Sequence, residues 1–205
     1  MKIEVLVKLL SLKKEWDQKD LVRAAECTKG YVSRMIKKLE DLGIVTKTSR
    51  SRIVVVDLPK LLNYWISIRK LPKPIYVDMD EPVENIEKDL KRLKGSKTKI
   101  DYSITLFSGA WHRVKLLKAD RLEVYVLKKD LQKLLKILGR LGGKPNPYGK
   151  VEVYVTDKYD LMGSEKISGL NVAPVTQNYV DLATIGGNGT RVALELAKKF
   201  GLFGV

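Results

Sequence analysis

The chain has 205 residues, with 39 Lys or Arg against 24 Asp or Glu and a formal net charge of +15. Its 44% hydrophobic and 31% charged residues suffice for an apolar core and exclude wholesale disorder. A single cysteine, Cys27, excludes both an internal disulfide framework and a cysteine-based zinc site.

No stretch approaches the ~20 apolar residues of a membrane span, so a membrane is not an expected partner. The opening residues interrupt their apolar stretch at Lys8 and offer no small-residue cleavage site, so no signal peptide and a cytoplasmic location are expected. Excess positive charge points to a polyanion, without saying which. It is denser early in the chain, with 16 basic and 8 acidic residues up to Lys70 against 23 and 16 beyond it. Leu71-Pro72-Lys73-Pro74 disfavours helix and stiffens the chain. The expected organisation is therefore a domain over 1–70 and a second over 71–205.

Residues 2–12 place Ile3, Leu6, Leu9 and Leu10 on one helical face. Asp17 is suited to cap a helix from Gln18 to about Cys27, with Cys27 expected in the core. Thr28 then caps a helix over Lys29–Leu42, whose stripe Val32, Met35, Ile36, Leu39 and Leu42 is expected inside. Its other face carries Lys29, Ser33, Arg34, Lys37 and Lys38, with Tyr31 at the edge, and Gly43 ends it. Two β-rich pieces follow, Ile44–Thr46 and Ile53–Asp57, joined by a basic tip containing Lys47, Arg50 and Arg52. A helix over Lys60–Lys70, opened by Pro59, is expected to pack inward on the same domain.

Three helices followed by a basic hairpin are the winged helix-turn-helix arrangement, and KDLVRAAECTKGYVSRMIKKLEDLGIVTK resembles that family. In such a module a helix enters the major groove and its N-terminal side chains reach base edges. Arg34 is the candidate for bidentate reading of guanine, with Thr28, Lys29, Tyr31, Ser33 and Lys37 beside it. Lys38, Lys47, Arg50 and Arg52 suit phosphate or minor-groove contact. Tyr31 equally suits stacking on sugar or covering the turn. The competing reading makes the winged helix a dimerisation module of an interaction or ligand-sensing protein.

In the second domain a helix is expected over 82–94, with Val83, Ile86 and Leu90 inward. Strands are expected over Tyr102–Phe107, Leu122–Leu127 (alternating) and Val151–Thr156, and helices over Asp130–Leu141, Asn178–Ile185 and Arg191–Phe200. Thr190 is expected to cap the last helix, with Val192, Leu194, Leu196 and Ala197 partly buried. The fold class expected for the chain is α+β, a winged helix-turn-helix followed by a mixed α/β domain.

Segments in order carry a second resemblance: YSITLFSGAWHRV, LEVYVLKKDL, YGKVEVYVT and APVTQNYVDLATIGGNGTRVALELAKKFG, the last with the step Q-x-Y-x-D-L at Gln177–Leu182. They are similar to the C-terminal domain of the AbiEi-type antitoxins, a family that joins it to an N-terminal winged helix. The small-residue turn Ser108-Gly109-Ala110 is one landmark; Gly186-Gly187-Asn188-Gly189-Thr190 departs from the family's usual Arg-Gly pair. The resemblance implies a transcriptional regulator that binds operator repeats at its own promoter. In type IV toxin–antitoxin systems such a protein opposes a nucleotidyltransferase-like toxin. A homodimer is expected by analogy with winged-helix repressors that read two-fold sites.

The residues give an enzyme little to work with, and no cofactor, metal ligand or catalytic residue is expected. His112 is the only histidine, lies in the expected turn region, and reads as structural. Asp78-Met79-Asp80 is a D-x-D, but Gly95-Ser96 and Gly163-Ser164 follow it, the wrong order for a nucleotidyltransferase. Asp181 reads as a helix-start carboxylate. Gly186–Thr190 lacks the lysine of a P-loop and reads as a flexible turn with a helix cap.

Overall fold

The computed structural model describes residues 2–48, 52–92, 100–116 and 120–204. The protein is α+β and divides into two compact units, one of Met1–Lys70 with Ala197–Val205 and one of Leu71–Leu196. The C-terminal segment thus belongs with the first unit, where the sequence reading ran the second domain on to residue 205.

The first unit runs α1 (Lys2–Leu12), β1 (Glu15–Asp17), α2 (Gln18–Ala25), α3 (Lys29–Asp41), β2 (Val45–Lys47), β3 (Arg52–Val55) and α4 (Leu58–Ile68). Its three strands form an antiparallel sheet in the order β1-β3-β2. Polar side chains cap the orphan N–H groups that begin α2, α3 and α4. Asp17 Oδ1 accepts from the Lys19 N–H at 2.7 Å, and Asp57 Oδ1 from the Lys60 N–H at 2.8 Å. Gly43, at φ +67°, turns the chain out of α3, a conformation that costs glycine little. Leu6, Leu21, Val32, Ile36, Leu39 and Trp65 are all fully buried, and α1 packs against α2 and α4. Each such side chain contributes about 1.5–3 kcal/mol of burial.

Strand β1 was not expected from the sequence. Its three residues are too short to show an alternation, and what holds them is Trp16, buried, with its indole N–H donating to Leu9 O at 3.0 Å. Two expected core residues of this unit are corrected: Leu42 is exposed beyond the end of α3, and Cys27 is only half-buried after the end of α2.

The second unit begins with β4 (Ile75–Asp78), α5 (Val83–Arg92), β5 (Tyr102–Ile104), α6 (Leu106–Val114) and β6 (Leu122–Leu127). It continues through α7 (Leu131–Arg140), β7 (Lys144–Pro145), β8 (Val151–Thr156), α8 (Lys158–Leu161), β9 (Glu165–Ile167), β10 (Leu170–Val172), α9 (Val175–Ile185) and α10 (Asn188–Lys199) as far as Leu196, the rest of that helix being counted with the first unit. Its strands form one seven-stranded sheet, β7-β4-β8-β6-β5-β10-β9, parallel at β6/β8 and β5/β10 and antiparallel elsewhere.

The sheet has two unlike faces. One is apolar: Val77, Tyr102, Ile104, Val124, Val126, Val151, Val153 and Val172 pack against Ile86 and Leu90 of α5 and Leu134 and Leu138 of α7. The other carries Ser103, Glu123, Tyr125, Glu152 and Tyr154, all buried. The expected exposed side of the alternating strand Leu122–Leu127 is therefore buried as well.

Several expectations in this unit are corrected. Strand β5 stops at Ile104; the expected strand end at Leu106–Phe107 and the expected turn Ser108-Gly109-Ala110 all lie in α6. The small residues are there for close approach: a Cβ on Gly109 would lie 2.9 Å from Asn178 Nδ2 of α9. Thr190 lies inside the first turn of α10 rather than capping it, and Leu194 is exposed while Ala193 is buried in its place. Gly189, in the first turn of α10, is packed, since a Cβ there would lie 2.4 Å from Leu182 O, whereas Gly186 and Gly187 before the helix, both at positive φ, have open space around them.

Candidate nucleic-acid interface

Helix α3 begins where Thr28 Oγ1 accepts the Tyr31 N–H at 3.3 Å. Val32, Ile36 and Leu39 then bind one side of the helix to the core, with Met35 half-buried. This fixes the rotation of the helix. Its other side is exposed and carries Lys29, Arg34, Lys37 and Lys38. A Cβ on Gly30 would lie 3.8 Å from Arg34 Nη1, so the guanidinium reaches back along the first turn of α3.

Ser33 and Tyr31 are half-buried at the edge of this face. Ser33 Oγ accepts from Gln18 Nε2 at 2.8 Å, tying the start of α2 to α3. Burial foremost, then the neighbouring Cys27 and Tyr64, push the Tyr31 hydroxyl above its ordinary range, against a smaller opposing effect of Arg34. Tyr31 therefore stays a neutral hydroxyl at physiological pH.

The other basic residues divide. The Lys47 side chain is exposed, and its backbone N–H donates to Glu40 Oε1 at 3.1 Å, fixing the first strand of the hairpin to α3. Lys38 Nζ sits 5.7 Å from the centre of the Tyr64 ring on α4, a cation–π placement that draws it off the Arg34 side. Arg52 is engaged: its Nη1 donates to Glu15 Oε1 at 2.6 Å across the β1–β3 pairing, and that bond and charge push the guanidinium pKa up from its ordinary value. Arg50 lies outside the described residues.

Sequence reasoning missed three groups that shape this face: Gln18, Glu15 and Tyr64. Glu15 could have been found only by placing β1 beside β3. Gln18 carried a weak signal as the first residue of a capped helix, one helix before its partner Ser33.

The polar face of the seven-stranded sheet is the other concentration of chemistry, and it is closed. Tyr125 Oη donates to Asp181 Oδ2 at 2.9 Å and Thr105 Oγ1 to the same oxygen at 3.3 Å. Asp181 is thus a fully buried residue in the middle of α9, not a helix-start carboxylate. Glu123 Oε2 accepts from the Ser108 N–H at 2.8 Å, and burial pushes its pKa from an ordinary 4.5 up to about 8, with the neighbouring Glu152 adding to the rise. His112 lies in α6 rather than a turn, buried, with Nε2 2.7 Å from Glu87 Oε1. Asp78 Oδ2 accepts from Asn146 Nδ2 at 3.2 Å.

Among the described residues no group of three or more His, Cys, Asp or Glu is placed to hold a metal ion, and no helix is long and apolar enough to cross a membrane. No protein-family model matches the chain, and no curated protein matches it.

Proposed function

We propose that the first unit is a winged helix-turn-helix that binds double-stranded DNA sequence-specifically, and that the protein is a transcriptional repressor acting in the cytoplasm. The observation that carries this reading is the α3 face: Arg34, Lys37 and Lys29 exposed on a helix whose opposite stripe is locked into the core. An α-β-α-α-β-β order with a hairpin beside that helix supports it. Arg34 reads a base edge, Lys29 and Lys37 flank it, and Lys47 reaches phosphate from the hairpin.

By the resemblance to AbiEi-type antitoxins, the operator is a repeat at the protein's own promoter, bound by a homodimer. The same resemblance makes a nucleotidyltransferase-like toxin the functional counterpart of the protein. No catalytic role and no cofactor are part of this reading.

The test is a mobility shift with the duplex upstream of the coding sequence. A specific shift is expected, with affinity falling about 10³–10⁵-fold between roughly 50 and 200 mM salt if about six to ten phosphates are neutralised. No specific shift, or binding insensitive to salt, overturns the proposal and leaves the interaction or ligand-sensing module as the better account.

A further inference from the structure

The second unit carries a basic surface that the DNA-binding reading does not use. Between residues 131 and 150 there are five basic residues, Lys133, Lys136, Arg140, Lys144 and Lys150, and no acidic one. All five are exposed. Lys133, Lys136 and Arg140 share one face of α7 by their spacing of three and four. Lys133 is tied to Asp130 at 3.0 Å; the other four make no ion pair with a described residue.

Lys144 and Lys150 bracket the turn Pro145-Asn146-Pro147-Tyr148-Gly149, and Tyr148 is 84% exposed at its tip. That exposure is built. Asn146 anchors the turn four ways: its N–H donates to Tyr76 O at 3.3 Å and its Nδ2 to Asp78 Oδ2 at 3.2 Å. Its Oδ1 accepts the Tyr148 N–H at 3.0 Å and its carbonyl the Gly149 N–H at 2.9 Å. Gly149 lies flat on β4, where a Cβ would fall 2.3 Å from Val77 C. Two prolines fix φ on either side of Asn146.

We infer that this turn and the α7 face bind single-stranded nucleic acid, with a base stacked on the Tyr148 ring and phosphates held by Lys144, Lys150 and Arg140. An exposed aromatic ring on an anchored turn, amid unpaired cations, matches the two chemistries of an unpaired strand, a flat π-face and a regular phosphate charge. A duplex offers the charge but keeps its base faces stacked on each other. A folded acidic protein or an anionic membrane offers charge without a succession of flat rings. The pre-formed turn removes the cost of ordering the backbone that carries the ring. Asp78, in register with Lys144 on the paired strand, keeps its charge uncancelled by the bond from the Asn146 amide and offsets part of that lysine's attraction, which leaves Arg140 and Lys150 as the stronger phosphate contacts.

The experiment is fluorescence anisotropy of the full-length protein with a labelled oligothymidylate and with an abasic oligonucleotide of the same length. Tyr148→Ala is expected to weaken oligothymidylate binding roughly 5- to 150-fold, and Tyr148→Phe to retain it. The abasic strand is expected to bind as weakly to the native protein as the oligothymidylate binds to Tyr148→Ala. Lys144→Glu with Lys150→Glu is expected to weaken both strands. Equal binding of the two strands, indifference to Tyr148→Ala, or equally tight binding of polyglutamate or phosphatidylserine vesicles overturns the inference. Tyr148→Ala is expected to leave the specific duplex shift unchanged, so failure of this site and failure of the duplex-binding reading are told apart.

Discussion

In the first unit the stripe that holds α3, Val32, Ile36 and Leu39, contains no polar atom, and the charges of that helix stand in solvent. In the second unit the sheet face beneath α6, α8 and α9 buries Glu123, Glu152, Asp160 and Asp181. Water stabilises the first set, and removing one of its charges leaves the core as it was. The second set has lost water and depends on named donors such as Ser108, Tyr125 and Thr105. Lys29, Arg34 and Lys37 of α3 thus stand in solvent, open to a partner, whereas the buried carboxylates of the second unit specify how helices seat on the sheet.

The largest effect separating the two units is expected at Asp181. Asp181→Ala removes the acceptor used by the Tyr125 and Thr105 hydroxyls in a site with no exposed surface. A loss of about 2–4 kcal/mol is expected, near the desolvation cost of two poorly satisfied hydroxyls. Urea unfolding followed by circular dichroism measures it, and a loss under about 0.5 kcal/mol, as at an ordinary surface site, would erase the contrast between the units.

Glu123 sharpens the same contrast through pH. Its carboxyl is held up to about 8 in the folded state against an ordinary 4.5. Between those values the unfolded chain has released the proton and the folded chain keeps it. Stability therefore falls as pH rises through this window and levels off above it. Glu123→Gln keeps the shape and removes the titration, so the variant is expected to gain on the native protein from pH 5 to pH 8, on the order of a few kcal/mol. Parallel stability curves for the two proteins across that range would show that Glu123 ionises freely where it stands.

The same division explains what could be read in the sequence. Helix α3 was legible because Thr28, the three-and-four stripe and Gly43 are local signals that agree with one another. The α6 segment was not. Phe107-Ser108-Gly109-Ala110 has the composition of a strand end and turn, and only Asn178, far along the chain, explains why the helix needs a glycine there. Strand β6 was placed correctly but its second face was not, since a glutamate and a tyrosine on a strand look solvent-facing until α6 and α9 close over them. The seating of Ala197–Val205 with the first unit left no local trace at all. At the candidate interface the exposed residues of α3 were legible, while the engagement of Arg52 with Glu15 depended on a three-residue strand without a pattern.

A binding effect without a folding effect is expected at Arg34. Arg34→Ala should weaken the specific duplex by about 1–3 kcal/mol and relax preference at one base pair, if the guanidinium reads guanine. Unfolding of the variant should stay within about 0.5 kcal/mol of the native protein, because the side chain is exposed on a helix face. A uniform loss over all sequences would move Arg34 to the phosphate-contacting group. A destabilised variant would mean that the exposed face of α3 supports the fold.

The smallest expected effect decides how the hairpin takes part. Arg52 is held by Glu15 at 2.6 Å, and both side chains are about half exposed, so the pair is screened and adds little to stability. Its consequence for binding runs the other way: the carboxylate that positions Arg52 also offsets its charge. Glu15→Ala releases the guanidinium, and if Arg52 then reaches a phosphate, the slope of log K against log salt should steepen by about 0.9 on duplex DNA. Titrations at three or four salt concentrations measure that slope for the native protein and the variant. An unchanged slope would assign Arg52 to tying β1 to β3, and would leave Lys47 as the hairpin residue carrying charge to the DNA among those described.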